Sequence, residues 1–212
     1  LVRSRGLGDV YKRQVIYHGG IEYQHYPTME IIKSFKFMVD AGADTVIAHH
    51  THRYSGMIYY KQKPLLFGLG NFLCPTKTMV KDDWLIGLLA IMELNEHSID
   101  VKLQPVKMNE SFDKVDLVAS DLKNNILAHS NEISSKINNE SWLLNYWQRH
   151  DKSEKQKILD LLKSNTKLEY RLRKYLPAIF KSQISQHKKN ILLNMLRCDS
   201  HRNRLIRILE EK

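Results

Sequence analysis

Between residues 15 and 108 the spacing of apolar positions changes period several times. Val15, Ile16 and Tyr17 form a short apolar stub, broken by His18-Gly19-Gly20. Ile31, Ile32, Phe35, Met38 and Val39 then recur at helical steps and make one apolar face. Pro27 opens this helix, a position where its missing N–H costs little, and Gly42 stands where a C-terminal cap belongs. Residues 45–48 are a β-branched and apolar run of the buried-strand type. Strand, helix and strand in that order predict a parallel βαβ unit. Residues 64–69 predict another strand ahead of Gly70-Asn71. Residues 84–94 and 99–108 predict a hairpin around Asn95-Glu96-His97. Its second arm alternates Ile99, Val101 and Leu103 with Asp100, Lys102 and Gln104, so one face is wet.

Beyond residue 111 the pattern turns helical. Leu122 and Ile126, then Ile158, Leu161 and Leu162, recur at three- and four-residue steps. The same steps join Leu172, Leu176, Ile179 and Phe180, then Ile191, Leu192, Met195 and Leu196, and finally Leu205, Ile208 and Leu209. The best boundary between the halves falls at residues 108–115. The organisation is therefore α/β over residues 15–111 with a helical extension over 112–212.

Composition narrows the class. The 212 residues are 42% hydrophobic, which excludes a disordered tail. The two cysteines, Cys74 and Cys198, exclude a disulfide scaffold and a cysteine-based zinc finger and are read as reduced. The longest apolar run, residues 84–92, is 9 residues long, against ~20 for a membrane helix. The net charge of +10 is unevenly spread: +3 in residues 1–14, −1 in 15–111 and +8 in 112–212. The α/β half is thus nearly neutral. The basic residues Lys181, Lys188, Lys189, Arg197, Arg202 and Arg204, with His187 and His201, are read as a solvated helical face. They carry few interleaved aromatics, which argues against a nucleic-acid stacking platform.

Residues 1–14 carry no hydrophobic period. Residues 4–14, SRGLGDVYKRQ, resemble the in-frame translation of a transposase sequencing adapter. They are read as artefactual and set aside from fold reasoning. On that reading the natural sequence starts near Val15, in mid-strand, and its upstream half is missing. A membrane anchor in that missing part stays open, as does the choice between a cell-envelope and a cytoplasmic location.

The chemistry concentrates in histidines. Of ten, five lie between positions 18 and 52: His18, His25, His49, His50 and His52. His18 follows the first strand, and His49, His50 and His52 follow the second. Ligands of parallel α/β sheets bind outside the carboxyl ends of the strands, so both groups share one edge. In extended backbone His50 and His52 point to one side and His49 to the other. Neutral imidazole is a common ligand of transition metals. The one well-placed carboxylate is Glu22; Asp40 sits on the helix and Asp44 at the far end of its strand.

In order and spacing, three stretches resemble the C-terminal half of the CapA family over about residues 15–75, and more loosely to 108. The first is His18-Gly19-Gly20-Ile21-Glu22-Tyr23, followed by Pro27. The second runs from Asp40-Ala41-Gly42-Ala43-Asp44 through Thr45-Val46-Ile47-Ala48 to His49-His50-Thr51-His52. The third is Pro64, then Leu69-Gly70-Asn71-Phe72. These are bacterial capsule- or poly-γ-glutamate-synthesis proteins. The resemblance implies a calcineurin-like metallophosphoesterase α/β sandwich. It further implies two divalent metal ions (Mn, Fe or Zn), with His50 and His52 each giving a ligand to one of them and His18 as an isolated strand-end ligand. His49 takes the glycine place of the family element and supports catalysis beside the metals. Glu22 binds substrate or orients His18, and Asn71 braces the site loop. The remaining ligands of the family lie upstream and are absent here. Gly19, Ala48, Thr51 and Gly68 depart from the family's Trp, Gly, Pro and Ser.

The implied function is that of a capsule or exopolymer synthesis protein with a phosphoesterase-like site, acting on a phosphorylated or polyanionic substrate within an envelope-polymer synthesis complex. This chain alone is expected to be inactive. The alternative is a non-catalytic polymer-assembly or polyanion-binding protein on the same fold.

Overall fold

The computed structural model describes residues 12–75, 82–96 and 98–163. The expected helices beyond 163, the basic run at 181–204, Cys198, His97 and residues 1–11 lie outside them. The chain divides into two compact units, Leu1–Leu143 and Leu144–Lys212, and every predicted site residue lies in the first. The architecture is mixed α/β.

Four strands make the first sheet. β1 (Gln14–His18) and β2 (Thr45–His49) run parallel, joined by helix α1 (Met29–Asp40). β3 (Met57–Tyr60) and β4 (Lys63–Leu66) form a hairpin whose β4 pairs parallel with β2, giving the order β1-β2-β4-β3. The parallel βαβ unit is present as expected. β3 is not visible in the sequence, because its turn is Lys61-Gln62, both in the left-handed region at φ 49° and 62°, with no glycine to announce it.

Helix α1 starts two residues later than Pro27 suggests. The Thr28 hydroxyl accepts a hydrogen bond from the Ile31 N–H at 3.4 Å, so Thr28 is the cap and Pro27 precedes it. The C-terminal cap is Ala41, and Gly42 follows at φ 106°. Ile32, Phe35 and Val39 bury the face that packs on the sheet. Phe35 is fully enclosed, edge-on to Tyr17 at 5.3 Å and stacked on Phe67 at 5.1 Å between ring centroids.

The second sheet has the order β5-β6-β7: β5 (Ile86–Leu94), β6 (Ile99–Met108) and β7 (Val115–Leu117), all antiparallel. The predicted hairpin is confirmed with one correction. Residues 82–85 are a single 3₁₀ turn (Asp82–Leu85) rather than strand, because Trp84 spends its carbonyl on a side chain instead of a ladder. The two sheets meet at a backbone bridge between Gly70 and Gly87. A β-carbon at Gly87 would lie 2.1 Å from the Asn71 carbonyl oxygen, and one at Gly70 would lie 2.5 Å from that of Ile86. Only glycines permit this approach.

The α/β unit continues past residue 111, since β7 extends the second sheet. Helix α2 (Ser120–Ile137) then packs against residues 54–57, and α3 (Glu140–Lys163) follows. Ser130 donates to the Ser55 carbonyl at 2.9 Å, and the Met57 N–H donates to the Ser134 hydroxyl at 2.9 Å. Beside these serines lies a part-buried cluster. Tyr54 and His129 share a hydrogen bond of 2.8 Å, and the His25 ring lies 5.2 Å from that of His129. His25 Nδ1 donates to the Tyr54 carbonyl at 2.6 Å, which leaves its other nitrogen unprotonated in the neutral ring.

Two stability predictions follow from this packing. Phe35→Ala is expected to cost about 3–5 kcal/mol in urea denaturation, as for other enclosed aromatics cut to alanine. Burial holds His25 below its ordinary value of 6.5, and neighbouring His129 and Arg53 push it the same way against the Tyr54 hydrogen bond. The unfolded chain then takes up the proton first, so stability falls as pH drops through 6.5 and below. Thermal midpoints measured from pH 7.5 to 5 should decline less steeply in His25→Gln than in the wild type.

Candidate functional site

The strand register assembles the site. His18 lies directly opposite His49 at the carboxyl ends of β1 and β2. The two chains continue side by side past the strand ends. Gly19 N–H donates to the His49 carbonyl at 3.1 Å and Tyr23 N–H to the Thr51 carbonyl at 2.7 Å. This carries Glu22 beside the histidine run.

Four of the expected side chains come together. The rings of His18 and His50 lie 4.9 Å apart and those of His50 and His52 6.4 Å apart. Glu22 Oε1 is 3.8 Å from His50 Nε2, too long for a hydrogen bond. His49 is half-buried at the end of β2, held below the ordinary histidine value by burial first and by His18 second. Asn71 is buried and reaches His52 Nδ1 with its Oδ1 at 2.8 Å. His25 belongs instead to the cluster under α2.

The backbone here is strained. Tyr23, His50 and His52 all sit at positive φ, at 64°, 102° and 55°. Side-chain-bearing residues rarely adopt this region, and such residues cluster at ligand sites. The strain also corrects the extended-backbone argument: His50 and His52 converge through a left-handed bend, not through strand alternation.

Three residues were not singled out from the sequence. The Trp84 indole stacks on His52, with ring centroids 4.8 Å apart and planes at 22°. Tyr23 lies 6.2 Å from His52 and 6.0 Å from Trp84. Its hydroxyl is pushed above the ordinary tyrosine value by burial, then by Glu22 and Cys74. Cys74 is a free thiol, its Sγ 4.0 Å from His52 Nδ1. Trp84 reaches the site through long-range packing, which leaves no local motif, whereas Tyr23 follows Glu22 directly and Cys74 lies three residues after Asn71. Two departures from the family pattern also prove to share one space. A β-carbon at Gly68 would lie 3.0 Å from the Thr51 hydroxyl and 2.8 Å from the Arg53 carbonyl. The Thr51 hydroxyl fills that room and donates to the same Arg53 carbonyl at 2.9 Å.

Residues 13–76 match the family described as bacterial capsule synthesis protein PGA_cap. The capsule biosynthesis protein CapA of Bacillus anthracis is 41% identical over 56 residues, which are 26% of this chain and 14% of that protein. Over residues 13–76 these two matches support a CapA-family assignment. Two uncharacterized proteins of Sinorhizobium fredii, y4sH and y4uA, are each 46% identical over 35 residues, 16% of this chain and 8% of theirs. The chain thus spans a small part of the curated relatives it matches. The CapA segment contains the whole first sheet, all four histidine-site residues and Asn71, whereas Trp84 lies outside it.

The strain can be measured directly. His50→Gly is expected to be more stable than His50→Ala by about 1–3 kcal/mol in chemical denaturation, because glycine alone adopts φ 102° freely. Equal stability of the two variants would show that the backbone at 50 is relaxed.

Proposed function

We propose that this segment is part of a bacterial capsule or exopolymer synthesis protein with a calcineurin-like, binuclear-metal phosphoesterase site. One observation carries the reading: in a CapA-family segment, His18, His50, His52 and Glu22 converge on one sheet edge, with two of the histidines held in strained backbone.

The donor chemistry, three imidazoles and a carboxylate, suits Mn, Fe or Zn. Among the described residues no group of three His, Cys, Asp or Glu side chains is arranged to hold a metal ion. On the reading proposed here, the three histidines and Glu22 would be one part of a larger ligand set. His50 and His52 would each face one ion, with His18 beside His50. When bound, such ions would polarise a phosphate ester and supply a nucleophile at neutral pH. The rest of the work belongs to this chain. Glu22, with Oε1 3.8 Å from His50 Nε2, is placed to bind substrate beside that ring. Tyr23 and Trp84 flank the His52 ring. Asn71 holds His52 from behind, and His49 closes the strand end behind His18. The substrate this edge suits is a phosphorylated or otherwise polyanionic polymer precursor.

Metal content by elemental mass spectrometry tests the reading. A longer CapA-family protein carrying this segment is expected to retain about two transition-metal ions per chain, as two-metal phosphoesterases do, and to lose them in His50→Ala/His52→Ala. Absence of metal from both proteins after supply of manganese and zinc would move the function to non-catalytic polymer assembly or polyanion binding.

A further inference from the structure

The His52 ring is gripped on its edge by Asn71 and on its face by Trp84. The Trp84 backbone carbonyl can only accept a hydrogen bond. Asn71 Nδ2 stands 3.0 Å from it, so the amide nitrogen must be on that side. The Asn71 carboxamide oxygen is thereby turned toward His52 Nδ1, at 2.8 Å. That oxygen also only accepts. In the neutral ring the proton must therefore sit on His52 Nδ1, and Nε2 keeps its lone pair. Asn71 is 5% exposed, so water does not compete for either bond. The indole lies 4.8 Å from the imidazole and stops the ring from turning. Its own Nε1–H donates to the Cys74 carbonyl at 3.3 Å, which fixes the indole in turn. The Cys74 sulfur lies 4.0 Å from Nδ1 on the same side, where with Nδ1 protonated it stands as a weak acceptor.

We propose that Trp84 and Asn71 are positioning residues that lock the neutral His52 ring in the Nδ1–H tautomer, the minority form of a free histidine, and so present Nε2 as a lone-pair donor. The tautomer follows from the hydrogen-bond chain alone; its use toward a metal rests on the function proposed above. Trp84 lies outside the matched CapA segment and reaches His52 only because the second sheet closes at Gly70 and Gly87.

The test is a long-range ¹H–¹⁵N correlation spectrum of the histidine rings, recorded on the full chain at pH 8, with His52→Gln identifying the His52 signals. The expected result is a pyrrole-type Nδ1 and a pyridine-type Nε2 for His52. Asn71→Leu should shift His52 toward the Nε2–H form. Asn71→Asp accepts at both oxygens and should retain Nδ1–H. Trp84→Phe keeps the carbonyl, so it should retain the tautomer while the ring-current shift of the His52 carbon-bound protons shrinks. An Nε2–H form in the wild type would overturn the proposal. So would an unchanged tautomer in a folded Asn71→Leu or, should that variant fail to fold, loss of Nδ1–H in Asn71→Asp. Zinc added to the same sample separates the two claims. Nδ1–H with no zinc-induced shift at His50 or His52 upholds the lock and shows that this part of the ligand set does not hold zinc by itself, the metal reading being decided by the longer protein's metal content. Zinc shifts on an Nε2–H ring do the reverse.

Discussion

The site depends on the register of β1 against β2. His18 opposite His49 is a backbone fact, set by parallel pairing over five residues of each strand. A slip of one residue would turn every side chain of β1 to the other face of the sheet. It would also break the continued pairing of residues 19–23 with 49–51, which places Glu22 beside His50. The register is anchored mainly from the β2 side. Val46, Ile47 and Ala48 are buried, and the Thr45 hydroxyl donates to the Pro64 carbonyl at 2.9 Å. Gln14 pairs opposite Thr45 through its backbone while its side-chain amide lies 3.9 Å from the Met92 sulfur, and the Arg13 N–H reaches the Asp44 carboxylate at 2.9 Å. Strand pairing makes little demand on side-chain identity at such a position, so a residue of any origin can fill it.

A second constraint is layered on the first. The approach of Gly70 to Gly87 fixes how near the second sheet comes, and the 3₁₀ turn just before β5 delivers Trp84 to the back of His52. The strained φ values at His50 and His52 need such bracing. A left-handed residue persists only where its surroundings over-determine it, and here Asn71, Trp84 and the buried Thr51 do so together.

Much of this was legible in the residues themselves. The helix spacing of Ile32, Phe35 and Val39 and the β-branched run before His49 define the βαβ unit. The rule that ligands gather at the carboxyl ends of parallel strands then put His18 with His50 and His52. What stayed hidden was non-local. Nothing about Trp84 marks it as a neighbour of His52. Tyr54 and His129 meet across 75 residues of chain. The β3–β4 turn uses Lys61 and Gln62 in a conformation whose usual signal is Asn-Gly. Asn71 was readable as a brace, but the direction of its amide needs the carbonyl it binds.

Helix α2 looks from the sequence like an appendage of the α/β half, and its contacts say otherwise. Ser134 receives the first N–H of β3, Ser130 supplies the proton that the Ser55 carbonyl accepts, and the backbone of residue 134 comes so close to Gly56 that a β-carbon there would lie 2.5 Å from its nitrogen. Cutting the chain ahead of α2 would strip the cover from Tyr54 and strand these backbone groups three to five residues after His52. Any minimal version of this domain designed to keep the histidine edge intact must therefore run through residue 137.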